Sequence, residues 1–130
     1  MKILFPLLTS ILFLTSCASL SHYPGIGRTR KYTFEHPQVP QPFDGFRIAF
    51  VSDIHYPSKF KRKHLHNLVR ALRDLQPDLL LLGGDYQEGC EYVEELFTEL
   101  GRVHPPYGTA GVLGNNDYER CTEQIRECMK

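Results

Sequence analysis

Three short stretches of this chain carry residue types that bind divalent ions. They are Asp53-Ile54-His55, Gly83-Gly84-Asp85 and Gly114-Asn115-Asn116-Asp117. Carboxylate, imidazole and amide oxygen together suit a hard or borderline divalent cation. Each stretch taken singly is weak. Asp-x-His occurs by chance, and Gly-Gly-Asp also makes a turn whose carboxylate caps the next helix. The common feature is position, because all three follow an apolar run. In an open α/β sheet, ligands gather where strands end at their carboxyl side.

The elements that would position these residues follow from periodicity. Phe46 to His55 predicts a buried strand, with Ile48, Phe50 and Ile54 on one face and Ala49 and Val51 on the other. Side chains two apart on an extended segment point the same way, so Asp53 and His55 are expected to leave the strand end together. Lys59 to Leu75 predicts a helix, with Leu65, Leu68, Val69, Leu72 and Leu75 as its apolar stripe. His64 and His66 lie beside Lys59, Lys61, Arg62 and Lys63 at its start. A solvated face accounts for them better than a basic substrate edge or extra metal ligands.

Pro77 ends that helix, and Asp78 to Leu82 is a continuous apolar run that predicts a parallel strand buried on both faces. A second amphipathic helix is expected over Glu91 to Leu100, with Gly101 as its C-cap. A third strand is expected over Thr109 to Leu113, and a weakly patterned helix over Glu119 to Met129. Strand, helix, strand, helix, strand predicts an α/β fold with parallel strands and right-handed crossovers. Its three strand ends would lie side by side.

In this order the motifs resemble those of the calcineurin-like metallophosphoesterases, which open with Asp-x-His, Gly-Asp and Gly-Asn-His-Asp/Glu. The resemblance covers Phe46 to Asp117, and Pro42 to Ile48 also looks like the lead-in of membrane-anchored bacterial members. It implies the N-terminal half of an α/β metallophosphoesterase sandwich with mostly parallel strands. It also implies metal-dependent hydrolysis of a phosphoester, with phospholipid-like or UDP-diacylglucosamine-type substrates in some members. By resemblance Asp53 and His55 hold a first metal, Asp85 bridges both metals, and Asn115 holds the second. The cofactors implied are two divalent ions, manganese, iron or zinc, about 3.5–4 Å apart.

Two departures bear on activity. Asn116 stands where the family has a histidine that assists the leaving group, and Asp117 where an acid orients it. Asn116 donates hydrogen bonds but delivers no proton at neutral pH. The later histidines of the family, including Gly-His-x-His, do not occur before Lys130. The expectation is therefore a partial domain over residues 45–130, truncated and weak or inactive. The alternative is a non-catalytic membrane lipoprotein fragment that binds a metal or a protein partner.

The 130 residues suffice for one domain, and 15 basic residues balance 15 acidic ones, which gives no argument for nucleic acid as a partner. Residues 1–16 have the form of a secretory signal, with Lys2 ahead of the apolar run Ile3 to Leu14. Leu14-Thr15-Ser16-Cys17 resembles the bacterial lipobox, so Cys17 is expected to be lipidated and the domain membrane-anchored outside the cytoplasm. Residues 17–44, proline-rich, read as a tether with a leading strand at Tyr32 to Glu35. Cys121 and Cys128 are spaced too far apart for a bridge within one helix, and a pairing of Cys90 with either stays open.

Overall fold

The computed structural model describes residues 23–130. The signal segment and Cys17 lie outside the described residues. Three parallel strands, β1 (Ile48–Val51), β2 (Leu79–Leu82) and β3 (Thr109–Gly111), form one sheet in the order β1-β2-β3. The register pairs Ile48 with Leu79 and Val51 with Leu82, and Leu80 with Thr109. β1 connects to β2 through α1 (Arg62–Leu75), and β2 to β3 through α2 (Val93–Gly101). Two right-handed crossovers that step in one direction place both helices on one face of a sheet.

That face holds the core. Ala49, Leu80 and Leu82 from the strands join Leu65, Leu68, Val69 and Leu72 of α1 and Val93, Leu96 and Leu100 of α2. Of the stripe predicted for α1, Leu65, Leu68, Val69 and Leu72 are buried and Leu75 is half-buried, and in α2 Phe97 packs half-buried beside the buried Val93, Leu96 and Leu100. α1 starts at Arg62 rather than Lys59 and ends where Gln76 takes a left-handed conformation (φ 48°) just before Pro77. A left-handed residue followed by proline is a common helix stop. α2 starts after a 3₁₀ turn, Cys90–Tyr92, and its last residue is Gly101, so the cap falls on Arg102 and not on the glycine.

Other expectations are corrected. β2 alternates half-buried and buried residues, since Leu79 and Leu81 face away from the helices. It is therefore covered on one face, not two. Ile48 and Phe50 are 58% and 66% exposed on that open face, whereas Ile54 is buried with the core. Ile54 departs from the predicted alternation because the strand ends at Val51. Tyr32 to Glu35 forms no strand and is exposed. The C-terminal helix expected over Glu119 to Met129 is present as the shorter α4 (Thr122–Cys128), and an unexpected short helix, α3 (Asn115–Glu119), precedes it across Cys121, whose φ is 66°.

Cys121 forms a disulfide with Cys90, Cα to Cα 5.3 Å, which answers the pairing left open by spacing. It closes a loop of 31 residues in sequence. On the chain-entropy account such a loop contributes roughly 3–4 kcal/mol. The segment ahead of the sheet is also docked. The Pro24 carbonyl accepts from Asn67 Nδ2 at 2.9 Å, the Tyr23 hydroxyl donates to Asp74, and Ile26 packs against the core.

Beneath the strand ends lies Tyr86, fully buried, whose hydroxyl donates to the Val112 carbonyl at 2.6 Å. Burial, reinforced by the charge of Asp117, pushes its phenol up to about 12. A group whose folded value is raised contributes stability below its unfolded value, near 10 for tyrosine, and loses it as pH climbs through the folded value. Urea denaturation at a series of pH values is expected to show stability falling between about pH 10 and 12. In Tyr86→Phe that fall should be shallower, and an equal fall in both proteins would contradict this account.

Candidate metal centre

The three predicted ligand stretches meet at the carboxyl ends of the strands. One ligand atom from each of Asp53, His55 and Asp85 lies within 4.8 Å of the others. His55 Nε2 is 4.0 Å from Asp85 Oδ2. His55 and Asp85 are half-buried and Asp53 is exposed, so the group opens to solvent on one side.

The pair Asp53 and His55 does not converge by strand alternation. β1 has ended, and Asp53 (φ 56°) and His55 (φ 47°) are both left-handed, as is Asp85 (φ 54°). Left-handed non-glycine residues are uncommon, and each is held at roughly 1–3 kcal/mol above the ordinary backbone regions. They persist only where surrounding bonds over-determine them. Here the Asp53 N–H donates to the Gly84 carbonyl at 2.9 Å, the His55 N–H to the Asp85 carbonyl at 3.1 Å, and the Tyr56 N–H to the Tyr86 carbonyl at 3.0 Å. The two ligand loops are thus laced together beyond the ends of their strands.

Asp117 does the same from the third loop. It is fully buried, and its carboxylate accepts from the backbone N–H of Asp85 at 2.7 Å, Tyr86 at 3.1 Å and Gly114 at 2.8 Å. Asp85 Oδ1 in turn accepts from the Asn116 N–H at 3.1 Å. This mutual lacing requires close approach at Gly84, where φ is 90° and a Cβ would sit 2.7 Å from Gly114 Cα. Asn116 also brings its side-chain amide to 3.2 Å from His55 Nδ1. Asn115 opens α3 and is exposed, and among the described residues no hydrogen bond ties its side chain to the cluster. His104 is exposed in the loop before β3.

Two residues of this region carry no signal of ligand type at motif spacing. Glu88 Oε1 lies 2.7 Å from His55 Nδ1. Gln87 is buried with its amide unpartnered among the described residues, beside a cavity of about 100 Å³ that Glu88, Asn116, Glu119 and Arg120 also line. The sequence hint for Glu88 is only that it is an acid three residues after Asp85.

The donor set fits a cation. Two carboxylates and an imidazole converge with no Lys or Arg paired to them among the described residues. Converging carboxylates without a counter-charge are unfavourable unless a cation or proton joins them. Three protein ligands also leave open positions for water or substrate.

With this geometry, residues 46–128 match the calcineurin-like phosphoesterase family, and the chain belongs to it. Relatives include YkuE, an uncharacterized metallophosphoesterase of Bacillus subtilis, 26% identical over 98 residues. Another is the UDP-2,3-diacylglucosamine pyrophosphatase LpxG of Chlamydia trachomatis, 30% identical over 97 residues. A transmembrane protein with a metallophosphoesterase domain from Danio rerio is 28% identical over 82 residues. These alignments cover 73%, 73% and 62% of this chain, but only 34%, 30% and 19% of the respective relatives. The chain thus spans about a third or less of their length. No solved structure matches. Among the described residues no helix is long and apolar enough to cross a membrane.

Asp117→Ala is expected to strand three backbone donors. The cost should be about 3 kcal/mol in chemical denaturation, given roughly 1–3 kcal/mol for each unsatisfied buried group and incomplete additivity. A loss below about 0.5 kcal/mol, the range of ordinary surface substitutions, would show that the carboxylate does not brace the loops.

Proposed function

We propose that this chain supplies the metal-binding strand ends of a phosphoester hydrolase that acts on a lipid-linked phosphoester. The observation that carries the reading is the convergence of Asp53, His55 and Asp85, each in a left-handed conformation, at the ends of parallel strands. Similarity to the pyrophosphatase LpxG supports the substrate class. The disulfide supports a location outside the cytoplasm, where such bonds persist, and fits anchorage through lipidated Cys17.

In this reading Asp53, His55 and Asp85 hold one divalent ion, and Asn115 contributes its amide oxygen to a second. Manganese, iron or zinc would suit the mixed oxygen and nitrogen donors. When bound, such ions supply polarisation of phosphoryl oxygens and activation of water. Asn116 can donate a hydrogen bond to a phosphoryl oxygen but no proton to the leaving group. Absence of general-acid help lowers rates by about 10²–10⁴-fold, so turnover should be slow and favour good leaving groups. Asp117 orients backbone here, not an imidazole.

A second reading, a non-catalytic membrane lipoprotein that binds a metal or a protein partner, is favoured by the open sheet face. Ile48, Phe50 and Val112 are exposed there or at its edge. Exposed contiguous apolar surface marks interaction sites.

Calorimetric titration of the purified chain with Mn²⁺, followed by hydrolysis of bis-(p-nitrophenyl) phosphate, separates the two. Saturable binding with slow, metal-dependent turnover is expected, and Asp85→Asn should remove both. Absence of saturable binding would sink the metal reading. Binding without any turnover, together with strong binding of an apolar dye, would favour the second reading.

A further inference from the structure

We propose that Glu88 is a positioning residue that fixes the tautomer of His55 and presents Nε2 to the metal. The inference rests on Asp53, His55 and Asp85 being metal ligands. It assigns a role to a residue outside the three motifs.

Two groups compete for His55 Nδ1. Glu88 Oε1 is 2.7 Å away and the Asn116 amide is 3.2 Å away. A neutral imidazole nitrogen either donates or accepts, not both. Were Nδ1 the acceptor, taking a proton from Asn116, its lone pair would face the Glu88 carboxylate at 2.7 Å, two acceptors in opposition. Were Nδ1–H the donor, Glu88 would accept a charge-assisted bond of the length such bonds favour. The shorter contact decides. Nδ1 carries the proton, and Asn116 turns its amide oxygen toward the ring as a weaker second acceptor. Amide ends are assigned from such networks. The Nε2 lone pair is then free on the side of Asp85 Oδ2, 4.0 Å away. A carboxylate that holds the far nitrogen of a ligating histidine raises its basicity and fixes its plane.

The placement of Glu88 is built into both loops. Its N–H donates to the Tyr56 carbonyl at 2.8 Å, next to the bridge between Tyr56 and Gln87. Two residues on, Cys90 is tied to Cys121, which follows α3 and its Asn116. Carboxylate and imidazole therefore come from adjacent loops whose backbones are already joined.

Heteronuclear NMR of the histidine side chains in the metal-free full chain tests this directly, with His55→Gln to assign the signal. At alkaline pH, where the ring is neutral, the expected result is His55 protonated at Nδ1 alone in the wild type, and loss of that single tautomer in Glu88→Ala. Mn²⁺ affinity should fall by about 10–100-fold in Glu88→Ala. In Glu88→Gln, whose amide oxygen still accepts, the tautomer should persist and the affinity loss should be smaller. Far-UV circular dichroism checks that each variant is folded, and the near-isosteric Gln variant keeps the comparison available if the Ala variant unfolds. A wild-type His55 protonated at Nε2 would overturn the inference, as would a tautomer unchanged in Glu88→Ala. If the wild type binds no Mn²⁺, the metal reading fails. The tautomer, measured without metal, still decides the role of Glu88.

Discussion

The rest of the site depends on one buried carboxylate. Asp117 sits at the first turn of α3 and accepts backbone N–H groups from its own loop and from the loop after β2. Burying an ionised carboxylate is costly unless its lone pairs are filled, and three donors at 2.7–3.1 Å fill most of them. In return it fixes Asp85 in a conformation that the residue would not hold alone. Two strand ends become one rigid platform.

That platform lets a strained loop carry metal ligands. Asp53, His55 and Asp85 all occupy the left-handed region, and asparagine and aspartate tolerate it better than most residues. Interloop hydrogen bonds from Asp53, His55 and Tyr56 continue the parallel pairing of β1 and β2 past the point where regular strand geometry stops. The disulfide between Cys90 and Cys121 closes the same region from the far side. Strain, lacing and cross-link are parts of one arrangement. They hold ligand side chains at fixed separations before any ion arrives, so less ordering remains to be done on binding.

The sheet is asymmetric for a topological reason. Both crossovers step in the same direction, so α1 and α2 cover one face and α4 adds Ile125 to it. The other face leaves Ile48 and Phe50 exposed. The apolar run of β2 therefore looks like a strand buried on both faces while only Leu80 and Leu82 are buried. Hydrophobicity in the sequence reports what a strand can bury, and neighbours decide what it does bury.

Much of this was legible in the residues alone. The parallel α/β order follows from two helical stripes alternating with short apolar runs, and the ligand types at each run's end select Asp53, His55 and Asp85. These signals are local, which is why they survive without a structure. The left-handed turns that aim the ligands, the left-handed break between α3 and α4 at Cys121 and the pairing of Cys90 are not local. Each depends on contacts between segments distant in sequence. The contact of Glu88 with His55 is of the same kind, for an acid three residues past a motif has nothing in its spacing to mark it. Sequence determined which chemistry the strand ends could hold. Only the tertiary structure decided which atoms face each other, because hydrogen bonds between loops outweigh the geometry each loop would prefer by itself.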